Sequence, residues 1–228
     1  MKKYINKKQI IKSIIAFCLF YFSSLFQLIP VYLFHIKNSN TTLGILLNMF
    51  SNIVLLGILY FMYRKEIKDE WKIFKKNPLD NINTGCIYWF IGLIIMVVSN
   101  LIINRFIAGG IANNENTVQA MIKTLPWMML INAGFIAPIN EEITFRKAFK
   151  NVFKSKWLFV LMSGFIFGFL HVVGSDSIGQ YLYIIPYGTL GACFALAYYK
   201  TKTIFTSMFL HMFHNTTLIL MSIILTLI

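Results

Sequence analysis

Seven apolar runs dominate the chain, at roughly 13–35, 43–63, 84–104, 126–146, 157–174, 179–199 and 203–226. Each is close to the roughly 20 residues that a helix needs to cross the hydrocarbon core of a bilayer at about 1.5 Å per residue. The pattern predicts an all-α fold, a polytopic transmembrane helix bundle of about seven spans. Composition agrees: 57% of the 228 residues are hydrophobic and 13% are charged, against about 25% charged in a soluble domain. No repeat, low-complexity tract or Gly/Ser linker divides the sequence, which reads as one membrane domain. Within it, 1–111 holds spans 1–3 and their loops, and 112–228 forms a helical core. Residues 111–125 are more polar, with Asn113, Asn114, Glu115 and Asn116. They predict a loop leading into an amphipathic helix at the membrane interface.

A net charge of +13 invites a nucleic-acid reading, but the cations sit in short clusters between apolar runs, which is how topology is signalled. Eighteen of the 21 Lys and Arg fall before span 1 or on the loops between spans 2 and 3, 4 and 5, and 6 and 7. Lys37, Arg105 and Lys123 are the three on the other side. This asymmetry predicts a cytoplasmic N-terminus, an external C-terminus, a multi-pass location in a cell membrane and no nucleic-acid partner. Met1–Lys12 resembles the basic region of a signal peptide. The long apolar run after it has no small-x-small cleavage site before Pro30, so it reads as a retained span. Cys18, Cys86 and Cys193 lie singly in apolar runs and read as small buried hydrophobes.

Ionisable residues at depth are costly and tend to face a bundle interior or a cavity. Span 4 contains Ala137-Pro138-Ile139-Asn140-Glu141-Glu142-Ile143-Thr144-Phe145-Arg146. Glu142 and Arg146 share a helix face and can pair, whereas Glu141 points about 100° away. Pro138 removes a helix hydrogen bond just before the acidic pair, which suits a bent helix lining a cavity. Span 5 carries Gly164, Gly168 and His171 on one stripe, where small residues let another helix approach closely. Span 7 places His211, His214 and Asn215 near one face. Asn48, Ser51, Asn52, Ser99 and Asn100 in spans 2 and 3 read as interhelical hydrogen-bonding residues. A turn near Lys154-Ser155-Lys156 puts Glu141 about 15 residues, roughly 22 Å, along span 4. That is a depth His171, His211 and Asn215 can also reach.

These motifs have a known counterpart. Glu141-Glu142-x-x-x-Arg146, then Phe167-x-x-x-His171, then His211-x-x-x-Asn215 on successive spans resemble the CPBP family. That family includes CAAX-processing endopeptidases and bacteriocin-processing or immunity proteins, also called Abi proteins. The resemblance covers about residues 112–222 and departs at Lys147, where the family often has Gly; little consequence is expected from that. It implies an intramembrane endopeptidase in which Glu141 and His171 activate a water. His211 and Asn215 would stabilise the oxyanion, and Glu142 and Arg146 would form a structural pair.

Two chemistries stay open at this stage. One is metal-free hydrolysis, in which a carboxylate in an apolar pocket has its pKa raised into the useful range. The other holds Zn²⁺ on Glu141, His171 and His211 with one position left for water, although no His-Glu-x-x-His motif is present. The implied partners are the lipid bilayer and a membrane-associated peptide or pro-peptide substrate. Ile, Lys and Asn richness fits an AT-rich bacterial source, hence a plasma membrane. A non-enzymatic bacteriocin-immunity or peptide-binding protein is the alternative class. A transporter is a weaker third, since no inverted repeat with paired broken helices is visible.

Overall fold

A computed structural model describes residues 7–37, 40–108 and 110–227. Lys2 and Lys3, counted in the charge asymmetry, lie outside the described residues. The described chain is almost wholly helical, with no strand. Its elements are α1 Lys7–Tyr21, a 3₁₀ turn Ser23–Gln27, α2 Leu28–Leu33, α3 Thr41–Lys76, α4 Pro78–Ile103 with a π-turn Asn104–Ala108, and α5 Asn113–Thr124. There follow α6 Pro126–Ile131, α7 Ala137–Glu142, α8 Phe149–Val152, α9 Lys156–Val172, α10 Ile178–Tyr181, α11 Ile184–Thr201 and α12 Ile204–Leu227.

Among the described residues, four helical stretches are long and apolar enough to cross a membrane: Thr41–Lys76, Pro78–Ile107, Ile178–Thr201 and Ile204–Leu225. A fifth results if Lys7–Tyr21 and Ser23–Leu33, bent by 59°, are one span. The count of seven read from the sequence is therefore not reproduced, for three physical reasons. The first expected span is broken at the 3₁₀ turn. The stretch holding the acidic pair is divided by two π-turns, Asn132–Ile136 and Ile143–Ala148, and carries too many polar side chains to qualify. The apolar helix after it, Lys156–Val172, has only 17 residues. α3 also runs on through Arg64–Lys76 as continuous helix, where the sequence pattern placed a loop.

The first π-turn has a local cause. Pro138 has no N–H to give the carbonyl of Gly134, and its ring crowds that carbonyl, so the helix widens one turn earlier. The loosened carbonyls are met from α12: Asn215 Nδ2 donates to Ala133 O at 3.0 Å and Thr216 Oγ1 to Gly134 O at 3.4 Å. On the opposite side, an asparagine ladder ties α3 to this stretch. Asn52 Nδ2 donates to Asn132 Oδ1, Asn132 Nδ2 to Asn48 Oδ1, and Asn140 Nδ2 to the Asn52 carbonyl, each at 2.9 Å. Ser51 Oγ donates to Ser23 O. Interhelical bonding thus holds for Asn48, Ser51 and Asn52, while Ser99 bonds carbonyls of its own helix.

Close backbone packing follows the glycines. A Cβ on Gly164 would lie 2.5 Å from Gly188 O, and one on Gly168 would lie 2.7 Å from Gly188 N. The close backbone approach of α9 and α11 at these points therefore requires glycine. α4 is apolar nearly all round. Its Ile87, Phe90, Ile94, Val98 and Leu101 are exposed, as suits a face turned to lipid. Its buried residues are Gly85, Gly92 and Ile103, and Gly92 seats against Cys193 and Leu190 of α11. The largest apolar core surrounds the second π-turn, where Phe145, Phe149, Phe159 and Phe167 meet Leu55, Leu59 and Tyr63 of α3.

Candidate active site

One large cavity, with a volume of about 780 Å³, opens between α4, α5, α9, α11 and α12. Glu141, His171, His211, His214 and Asn215 all line it. The four residues that the sequence motifs nominate for chemistry are thus brought to one space from three separate elements. α7 ends with Glu141 and Glu142, α9 reaches His171 one residue before its end, and α12 presents the other two.

The two glutamates are sorted as the helical angle predicts. Glu142 and Arg146 are fully buried, with Arg146 Nη2 3.1 Å from Glu142 Oε1. Arg146 Nη1 also donates to Ser163 Oγ at 3.0 Å, and its guanidinium lies 5.1 Å from the centre of the Phe167 ring. Glu141 faces the cavity with its side chain 16% exposed.

The structure adds a contact that spacing does not contain. His211 stands between the two glutamates, with Nδ1 2.9 Å from Glu142 Oε1 and Nε2 3.5 Å from Glu141 Oε2. An ionised carboxylate only accepts, so His211 Nδ1 carries a proton and donates to Glu142. Its Nε2 then meets Glu141 favourably only if one further proton sits on either partner. The imidazole is only 3% exposed and stacks on Phe194, with ring centres 4.8 Å apart. Glu142 therefore orients His211 as well as pairing with Arg146.

His171 is fixed differently. Its Nδ1 lies 2.8 Å from the Phe167 carbonyl oxygen. A carbonyl cannot donate, so Nδ1 holds the proton and Nε2 keeps a lone pair. The ring is sandwiched between Phe167 at 4.5 Å and Tyr187 at 4.6 Å. Asn215 has one amide hydrogen committed to Ala133 O and a second one left. His214 is buried, and its Nδ1 accepts from Trp89 Nε1 at 3.4 Å. That leaves its Nε2 as the protonated nitrogen.

Residues 123–217 match the family model described as Rce1-like, type II CAAX prenyl endopeptidase Rce1-like. Over this segment, less than half of the chain, the sequence is similar to that family. The resemblance read from the three motifs is thereby shown, since all of them fall inside the matched residues. Among curated proteins, the chain is 29% identical over 152 residues to "Putative membrane peptidase YdiL" of Bacillus subtilis (strain 168), covering 63% of this chain and 59% of that one. It is 32% identical over 102 residues to "UPF0177 protein YbdI" of Lactococcus lactis subsp. lactis (strain IL1403), covering 41% and 56% respectively. The chain thus spans less than two thirds of the length of these relatives. No solved structure gave a significant match.

The Rce1-like segment supplies Glu141, His171, His211 and Asn215, but part of the cavity wall comes from outside it. Met96 and Asn100 of α4 and Asn114, Glu115 and Gln119 of α5 all line the space. Sequence reasoning did not single out Trp89, Glu115, Tyr187 or Phe194 for the site. An aromatic residue in an apolar span carries no signal that it stacks on an imidazole, and Glu115 reads as one polar residue of a loop.

A zinc ion held by this site would draw on Glu141, His171 and His211. Among the described residues, no group of three or more His, Cys, Asp or Glu is arranged to hold a metal ion. Both nitrogens of His211 are already turned to carboxylates, so Glu141, His171 and His211 do not fit a shared ion as they stand.

Proposed function

We propose that the chain is an intramembrane endopeptidase that hydrolyses a peptide bond of a small membrane-associated peptide or pro-peptide. The observation that carries this reading is the convergence of Glu141, His171 and the His211/Asn215 stripe on one cavity from three separate elements. A mostly apolar cavity with a few convergent polar groups is the usual form of such a site.

In the reaction, a water held at His171 Nε2 attacks the scissile carbonyl carbon. Its proton passes to Glu141 or His171, and the C–O bond forms as the carbonyl π pair moves onto oxygen. The free amide hydrogen of Asn215 and an Nε2–H on His211 receive the charge that develops on the carbonyl oxygen. Collapse breaks the C–N bond, and the stored proton goes to the leaving amine. Glu142 and Arg146 touch no reacting atom. They position His211, and through it Glu141.

The test uses full-length protein in liposomes with a quenched fluorescent peptide library. Glu141→Gln and His171→Ala should each lower kcat/KM by about 10²–10⁴-fold, and Asn215→Ala by about 10²-fold. Hydrolysis that survives both Glu141→Gln and His171→Ala would refute the assignment. Peptide binding without any hydrolysis by the native protein would move the reading to the non-enzymatic immunity or peptide-binding class.

A further inference from the structure

We infer that the cavity accepts a peptide bearing a basic side chain, and that Glu115 on α5 is the group that receives it. The inference rests on the endopeptidase reading of the same cavity and names its substrate class.

Of the eight acidic residues, four pair with a Lys or Arg, Asp80 and Asp176 lie outside the cavity without such a pair among the described residues, and two line the cavity. Glu66 pairs with Lys12 at 2.6 Å, Asp69 with Lys72 at 3.0 Å, Glu142 with Arg146 at 3.1 Å, and Glu70 with Lys147. Glu141 and Glu115 line the cavity, and among the described residues neither has a Lys or Arg within ion-pair distance. Among the described residues no Lys or Arg lines the cavity either, in a chain that has 21 of them. A strongly basic protein thus keeps Lys and Arg out of one internal space and places two carboxylates in it.

Only one of the two is available to a ligand's charge. Glu141 already faces His211 Nε2, and a cation set on it would remove it from proton transfer. Glu115 stands apart on α5 and is held in place. Gln119 Nε2 donates to Glu115 Oε1 at 2.6 Å. Gln119 is in turn oriented by Ser222 of α12, whose hydroxyl donates to Gln119 Oε1. This fixes the amide so that its N–H side faces the carboxylate, leaving Oε2 as the oxygen open to a donor. The surrounding wall is apolar, with Val118, Ile122, Leu218 and Ile219. Charge recognition is stronger there than at an open surface. A Lys or Arg side chain entering beside Glu115 gains a partner, and an acidic side chain meets two like charges.

The experiment uses full-length protein in zwitterionic phosphatidylcholine vesicles, so that lipid charge does not concentrate cationic peptides. The probes are N-acetylated, C-amidated apolar quenched peptides that differ by a single Lys, Gln or Glu scanned along the sequence. At one position Lys should exceed Gln in kcat/KM by about tenfold. Glu115→Gln should reduce that ratio below about threefold, and Glu115→Lys should turn the preference toward Glu. Asp69→Asn, an exposed carboxylate outside the cavity, should leave the ratio intact. Absence of a Lys preference at every position, or a preference that survives Glu115→Gln, overturns the inference. Anisotropy binding of the same peptides to a Glu141→Gln variant separates this result from the endopeptidase reading. Glu115-dependent Lys preference in binding, with no cleavage by the native protein, upholds the basic subsite and sinks the protease. Cleavage without charge preference does the reverse, and neither binding nor cleavage sinks both.

Discussion

Glu141 and Glu142 are adjacent in sequence and have opposite surroundings. Glu142 is sealed with Arg146 and His211, so removing it strands a buried guanidinium. Breaking a buried pair from one side costs about 3–5 kcal/mol. Glu142→Ala should therefore lower the thermal unfolding midpoint in detergent far more than Glu141→Gln does, although both abolish hydrolysis. Equal midpoints for the two variants would contradict the division. Lys147 gains meaning at this scale too. It is the position at which the motif departs from the resembled pattern, and it pairs with Glu70, which also accepts from Tyr198 and from the Ile204 amide. Lys147→Gly should destabilise the protein by about 1.5–3 kcal/mol, the range for a hydrogen bond to a charged group. The motif alone led to an expectation of little consequence; the pair with Glu70 predicts one for stability.

At the scale of elements, the site depends on two contacts that tolerate little change. α9 carries His171 and meets Gly188 of α11 through Gly164 and Gly168, where an added methyl collides with backbone atoms. Gly168→Val should separate the two helices, draw His171 away from Tyr187, and reduce both folded yield and hydrolysis; gel filtration and activity at matched concentration would show it. The second contact is the asparagine ladder from α3. Asn52→Ala leaves Asn132 short of a partner, and a polar interhelical bond in a membrane protein is worth about 0.6–2 kcal/mol. The loss should appear as a modest fall in unfolding midpoint, with hydrolysis reduced because the π-turn that supports Ala133 and Asn215 loosens. A midpoint unchanged by Asn52→Ala would mean the ladder is not a support.

On the scale of the whole molecule, the cavity is closed partly by residues beyond the matched segment 123–217, so the proposed chemistry and the proposed basic subsite fall in different parts of the chain. The charge asymmetry predicts that a cysteine introduced at Lys154 labels only from the cytoplasmic side and one at Lys37 only from outside. The reverse pattern would invert the topology. Chelator treatment of active protein should leave hydrolysis unchanged, because the facing residues are committed to one another. Loss of activity with EDTA, restored by Zn²⁺, would overturn the metal-free reading.

Hydropathy alone was enough for an all-helical membrane fold, because a long apolar run in lipid has little alternative to satisfying its own backbone. The three spaced motifs were also legible, and the i,i+4 rule separated Glu141 from Glu142, because both are local properties of one helix. The turn at Lys154-Ser155-Lys156 and the glycine stripe of α9 belong to the same class. Other features could not be read this way. The count of seven spans is not confirmed, because whether a run stays straight depends on the partners that accept its loosened carbonyls, as Asn215 and Thr216 do. The bridging of both glutamates by His211, the tautomer of His171 and the place of Glu115 in the cavity wall each join residues far apart in the chain. Only packing decides which side chains share a low-dielectric space, and no spacing rule reaches across from α5 to α12.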